Sequence, residues 1–590
     1  MGGLTINKLI SIVVSVYNKE KFLDKCIQSI IDLNMDKSQL EAIFVDDVST
    51  DNSYNILKKY ADEYDFIRCI QLEENSGGPA DPRNLGIQES KGKYITIVDA
   101  DDWLEPNGYP NLINQMEEHG SDIGFGQAFK NRNKDIVKVA NFASYKKANG
   151  LVPYEIYKIF RGMGPWGKIF KRSTTIDYNI KFRNLKFAED KLFYAELISK
   201  SKSASMTDEH VYHVNRYSDN ISLVKETDDI EKANFNIEVL KDLIKMDLPE
   251  YAKKQIISRI VEMDFISRVF IKKSFLKSNN KDVYYNMFEE VQNIIKEHGY
   301  DIEDFLENER YTNAFHAYQH SKEHFEEYIK FMLYNAHAHK YIKNNVVHFN
   351  YPDKFNYLPT LTSKCVAVHD GTHYMNETFY EVLHVYKKPN TTIEGVELVK
   401  INDESTRKTL KYEIHDNQIY LKTDDLHLDN YDFNIVIKFN DFEHSTVYAS
   451  HPIDNKNSKF KNKSAKLDLE SINKAKKAPK KPSYLTTPPS YIVTIKKANL
   501  YHDVNFTNQV KSVAKGNIVE IVSIEETVNK TPRLITRDGY YISANTDIVT
   551  PVNLESFINE QSKQTTADKV NENSKSNNKF SNIKNRLLKR

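Results

Sequence analysis

Tyr94-Ile95-Thr96-Ile97-Val98-Asp99-Ala100-Asp101-Asp102-Trp103 is a short apolar run that ends abruptly in three carboxylates. Its β-branched and aromatic residues predict a strand over 94–98, buried on both faces. Carboxylates packed at the end of such a strand cost free energy unless a positive group compensates them. A divalent cation bound to a diphosphate does so. Hard oxygen ligands suit Mg2+ or Mn2+, and the metal neutralises charge as a phosphate leaves. Helix capping is the other use that Asp finds at such a place.

The sequence before this run repeats the same plan. Leu9–Val16, Leu40–Val45 and Ile67–Leu72 read as buried strands. Between them, 19–33, 53–64 and 82–90 carry apolar residues at helical spacing. The order βαβαβαβ predicts an α/β fold with a mostly parallel, Rossmann-like sheet and helices on both faces. Ligands bind such sheets beyond the carboxyl ends of the strands, so the polar residues there are the ones to read for function.

The chain has 590 residues, which calls for several domains. Lys plus Arg and Asp plus Glu balance at 82 each, so any charged partner must be met by a local patch. No nucleic-acid partner is expected. Three cysteines, far apart and without a CxxC pair, argue against a structural zinc site or a disulfide framework. No stretch approaches the roughly 20 apolar residues of a membrane span. The N-terminal residues lack the pattern of a signal peptide. A cytoplasmic location is expected, or a peripheral one on the inner face of the cell membrane.

Four strand ends carry polar motifs in order. Ser15-Val16-Tyr17-Asn18 closes the first strand and Val45-Asp46-Asp47-Val48-Ser49-Thr50-Asp51 the second. Asn75-Ser76-Gly77-Gly78-Pro79 and Asp81-Pro82-Arg83-Asn84 follow the third, and Asp99 to Asp102 the fourth. Further on stand Trp166-Gly167-Lys168-Ile169-Phe170, Phe187-Ala188-Glu189-Asp190-Lys191-Leu192-Phe193 and Val211-Tyr212-His213. On these motifs the chain resembles family 2 glycosyltransferases of the GT-A fold over roughly residues 9–225. The long NSGGP…PRN segment, the AEDxLF motif and the added β domains resemble the wall teichoic acid N-acetylglucosaminyltransferases of Gram-positive bacteria.

The resemblance implies an inverting, metal-dependent hexosyltransferase that uses a nucleotide sugar, UDP-GlcNAc, and Mn2+ or Mg2+. Tyr17 offers a ring to stack on a base, and the resemblance sets Asp47 to accept from a uracil N–H. Asn75, Arg83 and Asp99 complete the implied donor site, with Arg83 supplying charge to the diphosphate or to its flanking carboxylates. Asp101 is the implied metal ligand, joined by Asp99 and His213. Asp102 is left to the fold. A sugar hydroxyl needs a carboxylate to take its proton as it attacks, and the resemblance gives that role to Asp190, with Glu189 beside it. A helix start with acidic first-turn residues is the structural alternative for this pair. Trp166 and Lys168 are implied on the acceptor side.

The expected layout is a GT-A domain over 1–225, a helical linker or accessory domain over 226–345, and a β-sandwich-like domain over 346–453. A Lys-rich linker over 454–485, a small SH3-like β-barrel over 486–553 and a disordered basic tail over 554–590 follow. In the helical part, 230–246 and 251–271 read as amphipathic helices. The tail suggests contact with a membrane surface or a polyphosphate polymer. The rear β domains suggest a homo-oligomer and a hold on an anionic polysaccharide or teichoic acid. Two other classes compete. A catalytically degenerate, polymer-binding scaffold conflicts with the intact acidic motifs. A nucleotidyltransferase conflicts with Tyr17-Asn18-Lys19-Glu20-Lys21, which lacks a Gly-rich phosphate loop.

Overall fold

The structure is a computed structural model that describes residues 8–139, 145–185, 187–220, 227–335, 339–375, 377–427, 432–452, 464–467, 482–554 and 557. The front of the chain contains, in order, β1 (Ile10–Val16), α1 (Glu20–Ile31), β2 (Leu40–Asp46), α2 (Ser53–Glu63), β3 (Ile67–Gln71), α3 (Ala80–Glu89) and β4 (Tyr94–Asp99). It continues through β5 (Trp103–Leu104), α4 (Gly108–His119), β6 (Ile123–Asn131), β7 (Ile136–Lys138), β8 (Ala148–Leu151), β9 (Lys168–Lys171), α5 (Arg172–Asp177), α6 (Glu189–Lys200) and β10 (Ala204–Asn215).

β1 lies between β2 and β4 and is parallel to both, and β3 is parallel to β2 on the outer side. Every residue of β2 is buried. Alternation along β1 explains why: Ile12 and Val14 feed one apolar cluster and Val13 feeds another, so both faces are covered. Gly86 lets α3 approach β1, since a Cβ there would meet Val13 Cγ1 at 2.3 Å. Beyond β4 the sheet becomes mixed. β9 runs antiparallel to β4 and to β6, whereas β10 runs parallel to β6. The result is an α/β fold in which β1, β2 and β4 end on one side, where the acidic motifs begin.

Helices Asp229–Leu243, Glu250–Arg259, Asp282–Glu297, Glu309–His320 and Lys322–Tyr334 follow, with a π-helix over Ile260–Phe270. The periodic stretch 251–271 is thus a helix that widens half-way. These helices share a core with the sheet: Val13, Ile97 and Phe193 belong to the same apolar cluster as Phe265, Phe288 and Tyr328.

Val346–Phe349 pairs with Lys340–Lys343 in a two-stranded sheet of its own, and the strands from Cys365 to Thr446 fall into two more. Ile393–Lys400, Asp403–Leu410, Phe433–Phe439 and Glu443–Thr446 extend the large sheet through a parallel pairing of Asp403 with Ile136 of β7. Cys365–Met375, Thr378–Lys387, Glu413–His415 and Gln418–Lys422 form a separate four-stranded sheet. The chain divides into two compact units. One comprises 1–368, 386–410 and 427–467, and the other 369–385, 411–426 and 468–590. The second contains a seven-stranded antiparallel sheet between Tyr491 and Pro551 over a small core of Leu500, Leu534, Ile542 and Val549. Most of the Lys-rich linker and nearly all of the basic tail lie outside the described residues. No helix among the described residues is long and apolar enough to cross a membrane.

Candidate active site

The turn after β2 is built around two buried aspartates. Asp46 accepts from Ser49 N and Gln71 Nε2, both at 3.0 Å. Asp47 accepts from Ser76 N at 2.7 Å and Ser76 Oγ at 3.0 Å, and Asn75 Nδ2 donates to its backbone oxygen at 2.7 Å. Burial raises the Asp47 carboxyl above the usual range, and the two Ser76 donors pull it back. Val48 follows with φ +58°, a left-handed conformation that a β-branched residue rarely takes. Tyr17, at the end of β1, leaves nearly half its surface exposed. Tyr17 and the Asp47 turn thus end adjacent, parallel strands, since Val16 pairs with Asp46.

Arg83 joins two motifs that are far apart in sequence. Its guanidinium donates to Asp99 Oδ1 at 2.8 Å and to Glu189 Oε1 at 2.7 Å, and it packs over the Phe182 ring. Only about 5% of its surface is exposed. Burial works against its charge, but Asp99 and Glu189 outweigh that and hold its pKa above the ordinary arginine value. Glu189 is pushed up to about 7 by burial and by Asp190, against the pull of Arg83. Asp190 is half-buried at the start of α6 and receives no hydrogen bond from the described residues. Burial raises its carboxyl above the usual range, while Lys191, Arg83 and Arg259 oppose the rise. Ala188, immediately before the pair, adopts φ +70° and turns the chain into the helix.

The three carboxylates after β4 have separate partners. Asp99 meets Arg83 and keeps about a third of its side chain exposed. Asp101 pairs with Lys19 Nζ at 2.9 Å. Asp102 is buried, accepts from Tyr212 Oη at 2.9 Å and from Asn215 N at 2.7 Å, and so serves the fold. Burial first, then Asp101 and Asp99, raise its carboxyl far above the usual range. A pool of negative charge with hard oxygen donors on Asp99 and Asp101 fits Mg2+ or Mn2+.

The structure sets His213 beside Glu105. Its Nε2 lies 2.6 Å from Glu105 Oε1 and its ring stacks on Trp103, while Tyr212, one residue before it, accepts from the Asp99 backbone N and donates to the Asp102 carboxylate. Successive strand residues face opposite ways, so His213 is turned from the Asp102 carboxylate that Tyr212 meets. Trp166 is partly buried against the core, close to Gly164. Lys168 is buried, donates to Gly164 O at 2.6 Å and lies over the Trp166 and Tyr194 rings. Burial pushes its pKa down to about 7, and the charge of Asp190 opposes this.

Sequence reasoning missed Lys19, Ser76 and Tyr212. Lys19 opens a helix directly after the Tyr17-Asn18 motif, a signal that it faces the same pocket. Nothing in the sequence announces Tyr212 except its alternation with His213.

The profile of "Glycosyl transferase family 2" matches residues 11–172. A poly(ribitol-phosphate) beta-N-acetylglucosaminyltransferase, TarP, of Staphylococcus aureus is 30% identical over 260 residues, 42% of this chain and 76% of that protein. This chain belongs to glycosyltransferase family 2. It is a glycosyltransferase with an α/β catalytic fold.

A poly(ribitol-phosphate) beta-glucosyltransferase of Bacillus spizizenii is 35% identical over 205 residues, 35% of this chain and 32% of that protein. A third relative, the N-acetylglucosaminyltransferase TarS of S. aureus, is 26% identical over 287 residues, 48% of this chain and 47% of its own length. The chain therefore spans a third to a half of two of these relatives. The crystal structure of S. aureus TarS 1-349 with UDP-GlcNAc covers 60% of this chain and 99% of its own, at 20% identity and TM-score 0.48. Residues 484–549 match a domain of unknown function, DUF5776.

Proposed function

We propose that the chain transfers N-acetylglucosamine from UDP-GlcNAc to a hydroxyl of a poly(ribitol-phosphate)-type teichoic acid, with inversion at the anomeric carbon. The observation that carries the reading is the Arg83 bridge, which ties Asp99 at the donor side to Glu189 beside Asp190. Tyr17 stacks on the base and Asp47 accepts from its N–H. Asn75 fixes Asp47 through the hydrogen bond to its backbone. Arg83 faces the diphosphate from its buried position. Asp101 and Asp99 hold a divalent cation, which supplies charge neutralisation to the departing diphosphate. Asp190, raised in pKa and without a hydrogen-bond partner among the described residues, takes the proton of the attacking hydroxyl. Glu189 orients the acceptor, and Trp166 with Lys168 lines its approach. The rear β sheets hold the polymer.

The acceptor class rests on the names of two relatives that match over the catalytic part. They differ in sugar, glucose in one and N-acetylglucosamine in the other. The test is release of UDP from UDP-GlcNAc and from UDP-glucose with poly(ribitol phosphate) as acceptor. Asp190→Asn should slow transfer by about 10²–10⁴-fold and leave donor binding intact. A wild-type chain that releases no UDP under these conditions returns the scaffold reading. A variant as fast as wild type removes Asp190 from the role of base.

A further inference from the structure

We propose that Glu105, His210 and His213 form a binding site for a divalent transition metal ion of the zinc class, separate from the carboxylates that follow β4. One ligand atom from each residue lies within 4.8 Å of the other two. His213 Nε2 is 2.6 Å and His210 Nδ1 3.6 Å from the same oxygen, Glu105 Oε1. Ligands about 2.0–2.2 Å from a tetrahedral zinc ion lie roughly 3.3–3.6 Å apart. Small side-chain rotations therefore reach coordination geometry.

Residues 210 and 213 are an odd number of places apart on β10, and a regular strand would send them to opposite faces. They share a face because the pairing of β10 with β6 slips on both sides of His210, between Met206 and His210 and again between His210 and Tyr212. Bulges that re-aim a side chain mark sites more often than accidents. Both rings are held from outside the cluster: His213 stacks on Trp103 at 4.7 Å, and His210 meets Phe129 edge-on at 4.4 Å. The Asn131 amide lies 3.1 Å from His213 Nδ1, the place from which a second-sphere group fixes the orientation of a ligand ring. His210 Nε2 is buried and without a hydrogen-bond partner among the described residues. An unpaired buried nitrogen costs stability, so hydrogen bonding alone does not account for this imidazole.

Two imidazoles and one carboxylate suit zinc, and the set suits cobalt or nickel in the same geometry. It does not suit Mg2+ or Ca2+, which want oxygen throughout. The ion would clip the segment after β5 to β10. The site does not depend on the glycosyltransferase reading, and it stands or falls separately.

The test is titration of the untagged full-length protein with Co2+, followed by its visible d–d absorption and by displacement with Zn2+. The expected result is one tightly held Co2+ per chain with a four- or five-coordinate spectrum. The spectrum should persist in Asp101→Asn, which removes one of the two carboxylates proposed for the other cation. It should weaken at least tenfold in apparent affinity in His213→Ala and in Glu105→Gln, the second of which keeps its shape and hydrogen-bonding ability. Absence of the absorption in wild type, or a spectrum unchanged in both variants, overturns the proposal. The wild-type titration alone is decisive should a variant fail to fold.

Discussion

Replacing Glu189 with Gln should change how stability depends on pH, by an amount that the site itself sets. Glu189 is buried, and its carboxyl sits at about 7 instead of 4.5. The folded state therefore holds a proton that the unfolded chain gives up near pH 4.5. Stability from this group is fully present below that pH, is lost as pH rises, and is gone above about 7. At 1.36 kcal/mol per pH unit, the loss across the window is about 3 kcal/mol. Glu189→Gln keeps an oxygen for Arg83 and removes the titration. The variant should gain on wild type by about 2–3 kcal/mol between pH 5 and pH 7.5. The assay is urea unfolding at a series of pH values, followed by tryptophan fluorescence. The chain has two tryptophans, Trp103 and Trp166, both in the catalytic part, so the signal reports that part alone. With a urea slope of about 2–3 kcal/mol/M, the midpoints should separate by roughly 1 M. Midpoints that run parallel across the range would falsify the account of Glu189 as the proton-holding member of the pair.

Lys19→Met should tighten the apparent affinity for Mn2+ in the transfer reaction, because the Lys19 ammonium competes for Asp101. A weaker metal requirement in the titration agrees, and an unchanged one removes the competition. Asp102→Ala should destabilise the catalytic part by about 2–4 kcal/mol in the same fluorescence assay, since it leaves Tyr212 Oη and Asn215 N without their acceptor. Ala188→Gly should raise stability by about 0.5–1 kcal/mol, because the native φ of +70° suits glycine. A loss there would mean that the Ala188 methyl packs usefully in the core.

The strands and their ends were legible from the chain alone. Buried parallel strands read as apolar runs, and β1, β2, β3 and β4 begin and end within one residue of the sequence expectation. The acidic motifs were legible because function sits where such strands stop. Pairings across long separations were not. Arg83 to Glu189 spans 106 positions and Lys19 to Asp101 spans 82, and no local pattern encodes which cation meets which carboxylate. The surroundings of His213 were hidden for a related reason. Its partner Glu105 lies on another strand's exit, and the slips in β10 that turn His210 towards it depend on β6. The division of 346–453 among separate sheets was equally hidden, because alternation tells a strand from a helix but does not choose its neighbours.

The common core of the sheet and the helices behind it constrains how this enzyme can be shortened or recombined. A cut at 225 would strip apolar cover from Phe193 and Leu197 and leave Lys191 without Asp264, its ion-pair partner at 2.8 Å in the π-helix. Lys191 follows Asp190 directly. Such a fragment would lose solubility and disturb the surroundings of Asp190, the proposed base, in one stroke. The helices are therefore not an interchangeable spacer but a second half of the catalytic body. Grafts between relatives should exchange the two together, since their apolar residues form one cluster.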